Sequence, residues 1–347
     1  MSILTRILTS LVLLLTFNLF AQYEEAQVDS IVLNKIYKGT SIKALSNEIG
    51  EDFQDQNNLI RAIYIYLASE MKYDLDFGNE SFRIRSAAKT KEELNRITDS
   101  ELERALRLRK GVCWEYAHLF KKLCYYQGIA SEVIPGMRRV ENELPLKPDY
   151  NHVYNVVELY GEKKFIDCTF SPPDVYDKSV YDMYYLVDPE EFIFICFPED
   201  VKKQYLSNPL TYMQFRNLPL ATNDKLALKI KNVYPRVCKL RVKQSQKTRL
   251  SLELGRLNVL DEVFVIVNNR NVEGIEVTKP IINLNISIKP NDSVIVMGRK
   301  RKAKEDVLLG FKARVNKFAE RIGRKAKIGF SDDDVKNVQH IEQLADR

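Results

Sequence analysis

Three residues of this chain have the types and the order needed for nucleophilic acyl chemistry: Cys113, His152 and Asp167. Cys113 stands in Gly111-Val112-Cys113-Trp114-Glu115-Tyr116-Ala117. Gly111 permits a tight turn into a helix, which leaves Cys113 in the first turn. Unpaired backbone N–H groups and the positive end of the helix dipole meet there, and both favour a thiolate. A thiolate is the nucleophile that acyl transfer needs. The same position also suits a small core residue on a buried face, and the helix alone does not separate the two. His152 opens a strand, and Asp167 follows fifteen residues later. In a hairpin with an even-length loop, that odd separation puts both side chains on one face. A two-residue loop at Gly161-Glu162 sets Asp167 opposite Val156, too far from His152. A four-residue loop over Leu159 to Glu162 sets it opposite Tyr154, diagonal to His152 and within side-chain reach. A base oriented by a carboxylate and two polar residues on a sheet face are both open readings at this point.

Other chemistries find little support. The histidines are His118, His152 and His340, and the five cysteines show neither a C-x-x-C pair nor a zinc spacing. No metal and no cofactor is expected. Gly78 and Gly136 belong to no phosphate loop. His118 is rotated by more than a third of a turn from Cys113, which assigns it to packing.

The elements that must position these residues are legible in outline. Asn58 to Tyr73 carries Leu59, Ala62, Ile63, Tyr66 and Leu67 at helical spacing on one apolar face. Gly78 to Arg109 is charged and weakly periodic. A helix starts near Gly111 with the stripe Cys113, Ala117, Phe120 and Cys124, and Gly128 stops it. His152–Tyr160 and Lys164–Cys168 flank a turn and read as a hairpin. Tyr181 to Pro198 reads as extended, and Tyr205 to Leu218 as a helix. Ala221 to Asp224 reads as a linker. Beyond it, apolar residues alternate, as in Leu226/Leu228/Ile230, Cys238/Leu240/Val242, Leu250/Leu252/Leu254, Val263/Val265/Val267, Ile282/Leu284/Ile286/Ile288 and Val294/Val296. Short strands with turn residues between them argue for a small all-β sandwich.

The segments around the three residues resemble a known family. Gly111-Val112-Cys113-Trp114-Glu115-Tyr116-Ala117 with Gly128-Ile129 resembles the Cys box of transglutaminase-like proteins. Asn151-His152-Val153-Tyr154-Asn155 resembles the His box and Asp167-Cys168-Thr169-Phe170 the Asp box, in the same order. The branch most similar is the kyphoscoliosis peptidase group, which includes fungal cytokinesis proteins. Arg61-Ala62-Ile63-Tyr64 through Lys72-Tyr73-Asp74, and Asp188-Pro189-Glu190-Glu191-Phe192 through Phe197-Pro198-Glu199-Asp200, resemble its flanking segments. The resemblance runs from about Ile42 to Pro219. It departs at Tyr154 and Phe170, where the family often has Trp, and at Cys196, where it often has His. It implies an α+β, papain-like fold with helices packed on an antiparallel sheet. It also implies a catalytic triad in which Cys113 attacks an amide carbonyl, His152 handles the thiol proton and Asp167 holds the His152 tautomer. Tyr73 becomes a candidate side-chain donor to the oxyanion, beside the Cys113 backbone N–H, because relatives carry a Tyr at a similar place. Trp114 is expected to wall the cleft.

Composition bounds the rest. With 347 residues, 45% of them hydrophobic and 29% charged, the chain can bury cores in about two domains. The formal net charge is +6, yet Arg299 to Lys327 alone carries twelve Lys/Arg against three Asp/Glu. A contact with an anionic surface is therefore expected of the tail. No aromatic interleaving there supports specific nucleic-acid binding. Ile7 to Phe20 is mostly apolar and about the length of a signal-peptide core. Expected boundaries are 1–21 for a signal peptide, 22–220 for the catalytic domain, 225–298 for an Ig-like β-sandwich and 299–347 for a basic helical tail. The expectation is an exported protein, periplasmic, cell-surface or secreted, with no membrane span after cleavage. The resemblance implies a protein or peptide substrate, with hydrolysis preferred over cross-linking. Cys124, Cys168, Cys196 and Cys238 are expected to be mostly buried free thiols, with one or two disulfides as the alternative in an oxidising compartment. A catalytically silent scaffold working through its β-sandwich and basic tail is the alternative.

Overall fold

Capping side chains set the helix starts in the first half of the chain. A helix α1 covers residues 25–34. It is followed by α2 (Ile42–Asp52), α3 (Gln56–Glu70), β1 (Lys72–Tyr73), α4 (Leu75–Ser86), α5 (Lys91–Leu108), β2 (Lys110–Gly111) and α6 (Cys113–Tyr126). Ser41, Asp55, Asp74 and Thr90 each accept a hydrogen bond from a first-turn amide of α2, α3, α4 and α5. These features come from a computed structural model that describes residues 25–139, 144–170, 181–219, 230–234, 236, 245–254, 262–268, 270–276, 281–289, 292–299 and 313–314. The expected leader, the linker at 221–224, Cys238 and His340 lie outside the described residues.

The chain divides into two compact units, residues 1–134 with 153–186 and residues 135–152 with 187–347. In the first unit α3 is buried on all sides, since every residue from Leu59 to Ala68 is buried. The expected single apolar face is therefore too narrow a reading. What the pattern hides is Arg61, a charged residue with no exposed surface. Its guanidinium donates to Asp29 of α1 at 2.7 and 2.6 Å and pairs with Asp182 at 2.9 Å. Two carboxylates let α3 keep a charge at the centre of a core. The weakly periodic segment after Gly78 is helical too, as α4 and α5. The buried stripe of α5 is only Glu101, Leu102, Ala105 and Leu106, which dilutes its apolar period.

Strands β3 (Ser131–Arg138), β4 (His152–Leu159) and β5 (Glu162–Ile166) follow. β4 and β5 form the expected hairpin, with Leu159 paired to Glu162 and Asn155 to Ile166. The turn is Tyr160-Gly161, one residue earlier than expected, with φ of 53° and 82°. Both values are left-handed, as a two-residue hairpin turn of the right twist requires. The register is nevertheless that of the wider loop. The pairing stops at Ile166, and the N–H of the next residue, Asp167, donates to the Tyr184 carbonyl rather than across the hairpin.

In the second unit, β3 pairs antiparallel with β6 (Cys196–Pro198), matching Gly136 to Pro198 and Arg138 to Cys196. The stretch from Tyr181 to Pro198 is not extended as expected. It holds a 3₁₀ turn at Asp182–Tyr184 and a short helix α7 (Pro189–Phe192) ahead of β6. The helix expected over Tyr205–Leu218 shrinks to α8 (Tyr212–Arg216), capped by Thr211. Pro209 disfavours helical backbone at Asn208, so no helix runs through that point. Further on, β7 (Ile230–Tyr234), β8 (Gln246–Leu254) and β11 (Ile281–Ile288) form one sheet in the order β11-β8-β7. A second sheet has the order β10-β9-β12-β13, from β9 (Glu262–Val267), β10 (Arg270–Glu276), β12 (Ser293–Arg299) and β13 (Ala313–Arg314). Alternation is strict along β11, where Ile282, Leu284, Ile286 and Ile288 are buried and their neighbours are exposed. β10 carries no such alternation, and the sequence did not reveal it. It lies at a sheet edge, where pairing with β9 asks for backbone hydrogen bonds rather than a buried face. Of the expected basic helical tail over 299–347, the described residues are Arg299, which ends β12, and Ala313-Arg314, which pair as a strand with Val294 and Ser293. Among the described residues no helix is long and apolar enough to cross a membrane.

Candidate active site

The two short parallel strands carry the first part of the site. Tyr73 pairs with Gly111, which brings it alongside the entry to α6. Gly111 is required there by close approach, because a Cβ on it would sit 2.6 Å from Cβ of Glu115. Cys113 is the first residue of α6, as its spacing predicted, and it is buried. The residue ahead of it, Val112, has no side-chain acceptor. The reciprocal cap is therefore missing, and the carboxylate of Glu115 takes over by accepting the Val112 N–H at 2.9 Å.

Tyr73 links Cys113 to the Asp box. Tyr73 is 43% exposed as a residue, but desolvation at its hydroxyl, followed by the charges of Cys113, Asp167 and Glu115, pushes that pKa up to about 12. The Cys113 backbone N–H faces the same oxygen and acts in the opposite sense. Tyr73, Cys113 and Asp167 thus share one electrostatic neighbourhood in the first unit. Asp167 follows β5 and is buried. Its Oδ1 accepts the Thr169 N–H at 3.0 Å, and its own N–H donates to the Tyr184 carbonyl at 3.0 Å. These bonds fix both its backbone and its carboxylate.

His152 is the first residue of β4 and is buried, with 6% of its surface exposed. Asn155, three residues on, donates from Nδ2 to the Ala117 carbonyl of α6 at 3.0 Å and to the Glu132 carbonyl of β3 at 3.4 Å. The strand that begins at His152 is therefore tied by a side chain to the helix that begins at Cys113. The sequence reading gave Asn155 no role, although it closes the His box. Glu115 and Arg85 were missed as well. The signal for Glu115 was its place three residues after a residue that cannot cap.

Trp114 is partly buried against the core. Its ring stacks on His118 at 3.9 Å between centroids, and the Arg85 guanidinium lies 3.5 Å from the ring centroid. His118 accordingly packs, as expected. Its ring nitrogen Nδ1 lies 2.8 Å from the Trp114 carbonyl, and burial lowers its pKa to about 4. Burial pushes the thiols of Cys124 and Cys168 upward, so both stay protonated at neutral pH. These two, with Cys113 and Cys196, are all buried. Among the described residues no group of three or more His, Cys, Asp or Glu is arranged to hold a metal ion.

The transglutaminase-like superfamily model matches residues 43–168, a span that ends just past Asp167. Kyphoscoliosis peptidase of Mus musculus is 25% identical over 190 residues, covering 51% of this chain and 27% of that protein. Cytokinesis protein 3 of Schizosaccharomyces pombe is 24% identical over 214 residues, covering 60% of this chain and 22% of that protein. The chain therefore matches only about a quarter of the length of these relatives. A solved structure from Cytophaga hutchinsonii aligns over 42% of this chain and 43% of its own at 17% identity, with a TM-score of 0.26. A score that low carries no argument about the fold.

Proposed function

Because the chain carries a transglutaminase-like superfamily domain over residues 43–168, we propose that it is a cysteine-dependent acyl-transfer enzyme with the triad Cys113, His152 and Asp167. The Cys113 sulfur attacks an amide carbonyl while His152 takes the thiol proton. The C–N bond then breaks, and His152 returns that proton to the departing amine. A thioester remains on Cys113. Water attacks it with His152 as base, releasing the acid and restoring the thiol. Asp167 holds the His152 ring and balances its positive charge. The oxyanion is held by the Cys113 backbone N–H and the Tyr73 hydroxyl. A phenol with a pKa of about 12 stays protonated at neutral pH and can donate.

The observation that carries this reading is the placement of Cys113 as the buried first residue of α6, with Tyr73 paired to Gly111 beside that helix start. The hairpin register is a second support, since Leu159 pairs with Glu162 as in the wider-loop reading rather than the two-residue one. Hydrolysis of peptide or amide bonds is favoured over cross-linking, with a papain-like core and an Ig-like β-sandwich built from the two later sheets. The apolar stretch Ile7–Phe20 supports export, and N-terminal sequencing of protein recovered outside the cytoplasm tests it.

The chemistry is tested with iodoacetamide. Cys113 should alkylate at neutral pH about tenfold faster than free cysteine, and His152→Ala should remove most of that advantage. A Cys113 no faster than free cysteine, and indifferent to His152→Ala, would sink the proposal. Peptide libraries with and without amine donors, run on wild type and Cys113→Ala, then separate hydrolysis from cross-linking.

A further inference from the structure

Below the first turn of α6 lies an ion pair that the triad does not use. Glu115 has no exposed surface. One of its carboxylate oxygens accepts the Val112 N–H at 2.9 Å. The other accepts from Ser81 Oγ at 2.9 Å and from Arg85 Nη1 at 2.9 Å. Arg85 also donates to Ser81 and lies over Trp114, the residue after the nucleophile. A buried carboxylate two residues from Cys113 opposes the thiolate that acyl transfer needs. Its charge reaches the site, because it is one of those felt by the Tyr73 hydroxyl. Glu115 is nonetheless needed, since Val112 cannot cap the helix.

We infer that Arg85 is a positioning residue that neutralises Glu115, so that the helix start keeps its cap without setting an uncompensated negative charge beside Cys113. This inference rests on the reading of Cys113 as the nucleophile. The cation comes from α4, not α6. That helix is pressed onto the same turn, since a Cβ on Gly78 would sit 2.5 Å from Val112 Cγ1. Besides His152, the base proposed above, the titratable groups that share this neighbourhood are Tyr73 from β1 and Asp167 after β5. Lys110 of β2 is paired with Asp74 at 2.7 Å. Among these described neighbours in the first unit, Arg85 is the cation bonded to the carboxylate that caps the nucleophile's helix.

The test is the pH dependence of iodoacetamide alkylation at Cys113 in the full chain, read by peptide mass mapping. Arg85→Gln should raise the alkylation midpoint by about one pH unit. Glu115→Gln keeps an acceptor for Val112, removes the charge and should lower the midpoint. The double variant should return it close to wild type, and Arg85→Lys should leave it there. A purely structural pair predicts loss of stability in both single variants and no opposed shifts. If Arg85→Gln does not fold, Glu115→Gln decides alone: a lower midpoint supports the inference, and an unchanged or higher one overturns it. Single variants that move together, or not at all, also overturn it. Failure of the nucleophile reading looks different, because the wild-type midpoint itself would then be that of free cysteine whatever the variants do.

Discussion

Tyr73 and His118 both have displaced pKa values, and the consequences differ. The Tyr73 hydroxyl, raised to about 12, is a donor across the neutral range. Tyr73→Phe removes a donor that the oxyanion would use and leaves the thiol in place. It should slow acylation by p-nitrophenyl acetate about 10- to 100-fold while Cys113 alkylation stays near wild type. Equal losses in both rates would reduce Tyr73 to a packing residue. His118 is pulled from its ordinary 6.5 down to about 4 by burial. Between those values the unfolded chain binds a proton that the folded chain refuses. The contribution of His118 to stability is therefore complete above about pH 6.5 and falls away as pH drops toward 4. The loss should reach about 1–2 kcal/mol, after discounting for partial solvent access. Urea midpoints at pH 4.5 and 7 measure it. His118→Phe, which keeps a ring against Trp114, should flatten the dependence, and an unchanged slope would remove His118 as its cause.

At the scale of elements the hairpin is the most instructive. Tyr160 adopts φ of 53°, which costs a non-glycine residue about 1 kcal/mol. Tyr160→Asn should therefore stabilise the fold by about 0.5–1 kcal/mol. Gly161→Ala should destabilise it by about 1 kcal/mol through backbone strain alone, since a Cβ there meets nothing within 4 Å. Thermal melts of the two variants moving in opposite directions confirm the turn, and melts moving together would contradict it. The same element shows what the sequence could yield. Alternation located β4 and β5 because one strand face is buried, and Gly128 ended α6 because its φ of 71° suits glycine. The exact turn was not legible, because two registers of the same alternation differ by two residues, which moves the turn by one, and only backbone pairing chooses between them. The helix carrying Cys113 was legible for its apolar stripe, but its support was not. Glu115 and Arg85 are thirty residues apart in sequence, and no local pattern joins them. Asn155 escaped for the same reason, since its partner on α6 is 38 residues away. The burial of Arg61 has no local sign either, because its partners Asp29 and Asp182 converge on it from distant segments.

Across the whole molecule, the expected boundary near residue 220 and the observed division follow different logics. Sequence reading placed a linker at Ala221–Asp224 because polar turn residues separate two regimes of periodicity. The contacts instead group residues 135–152 and 187–347 together. Within that unit α7 packs on β7, and Lys231 Nζ of β7 reaches Asp188 Oδ2, at the start of α7, at 3.2 Å. Asp188 raises the Lys231 pKa through that bond against the opposing effect of burial. The ion pair is partly exposed and by itself worth less than about 1 kcal/mol. Packing of Ile230 and Val233, both buried, adds the larger share at roughly 1–2 kcal/mol for each side chain. A chain ended at residue 220 loses both. If the β-rich region were an independent module, that truncation would leave the melting of the remainder unchanged. The shared unit predicts instead that it melts roughly 4–8 °C lower than the full chain, the shift that a loss of about 2 kcal/mol gives at this size. Lys231→Ala in the full chain should account for only about 1–2 °C of that difference, because packing rather than charge holds β7 against α7. Scanning calorimetry of the three proteins decides the matter: equal melting of the truncated and full chains would return the boundary to the linker, while a lowered melt makes the β strands part of the support for the segment that holds α7 and β6.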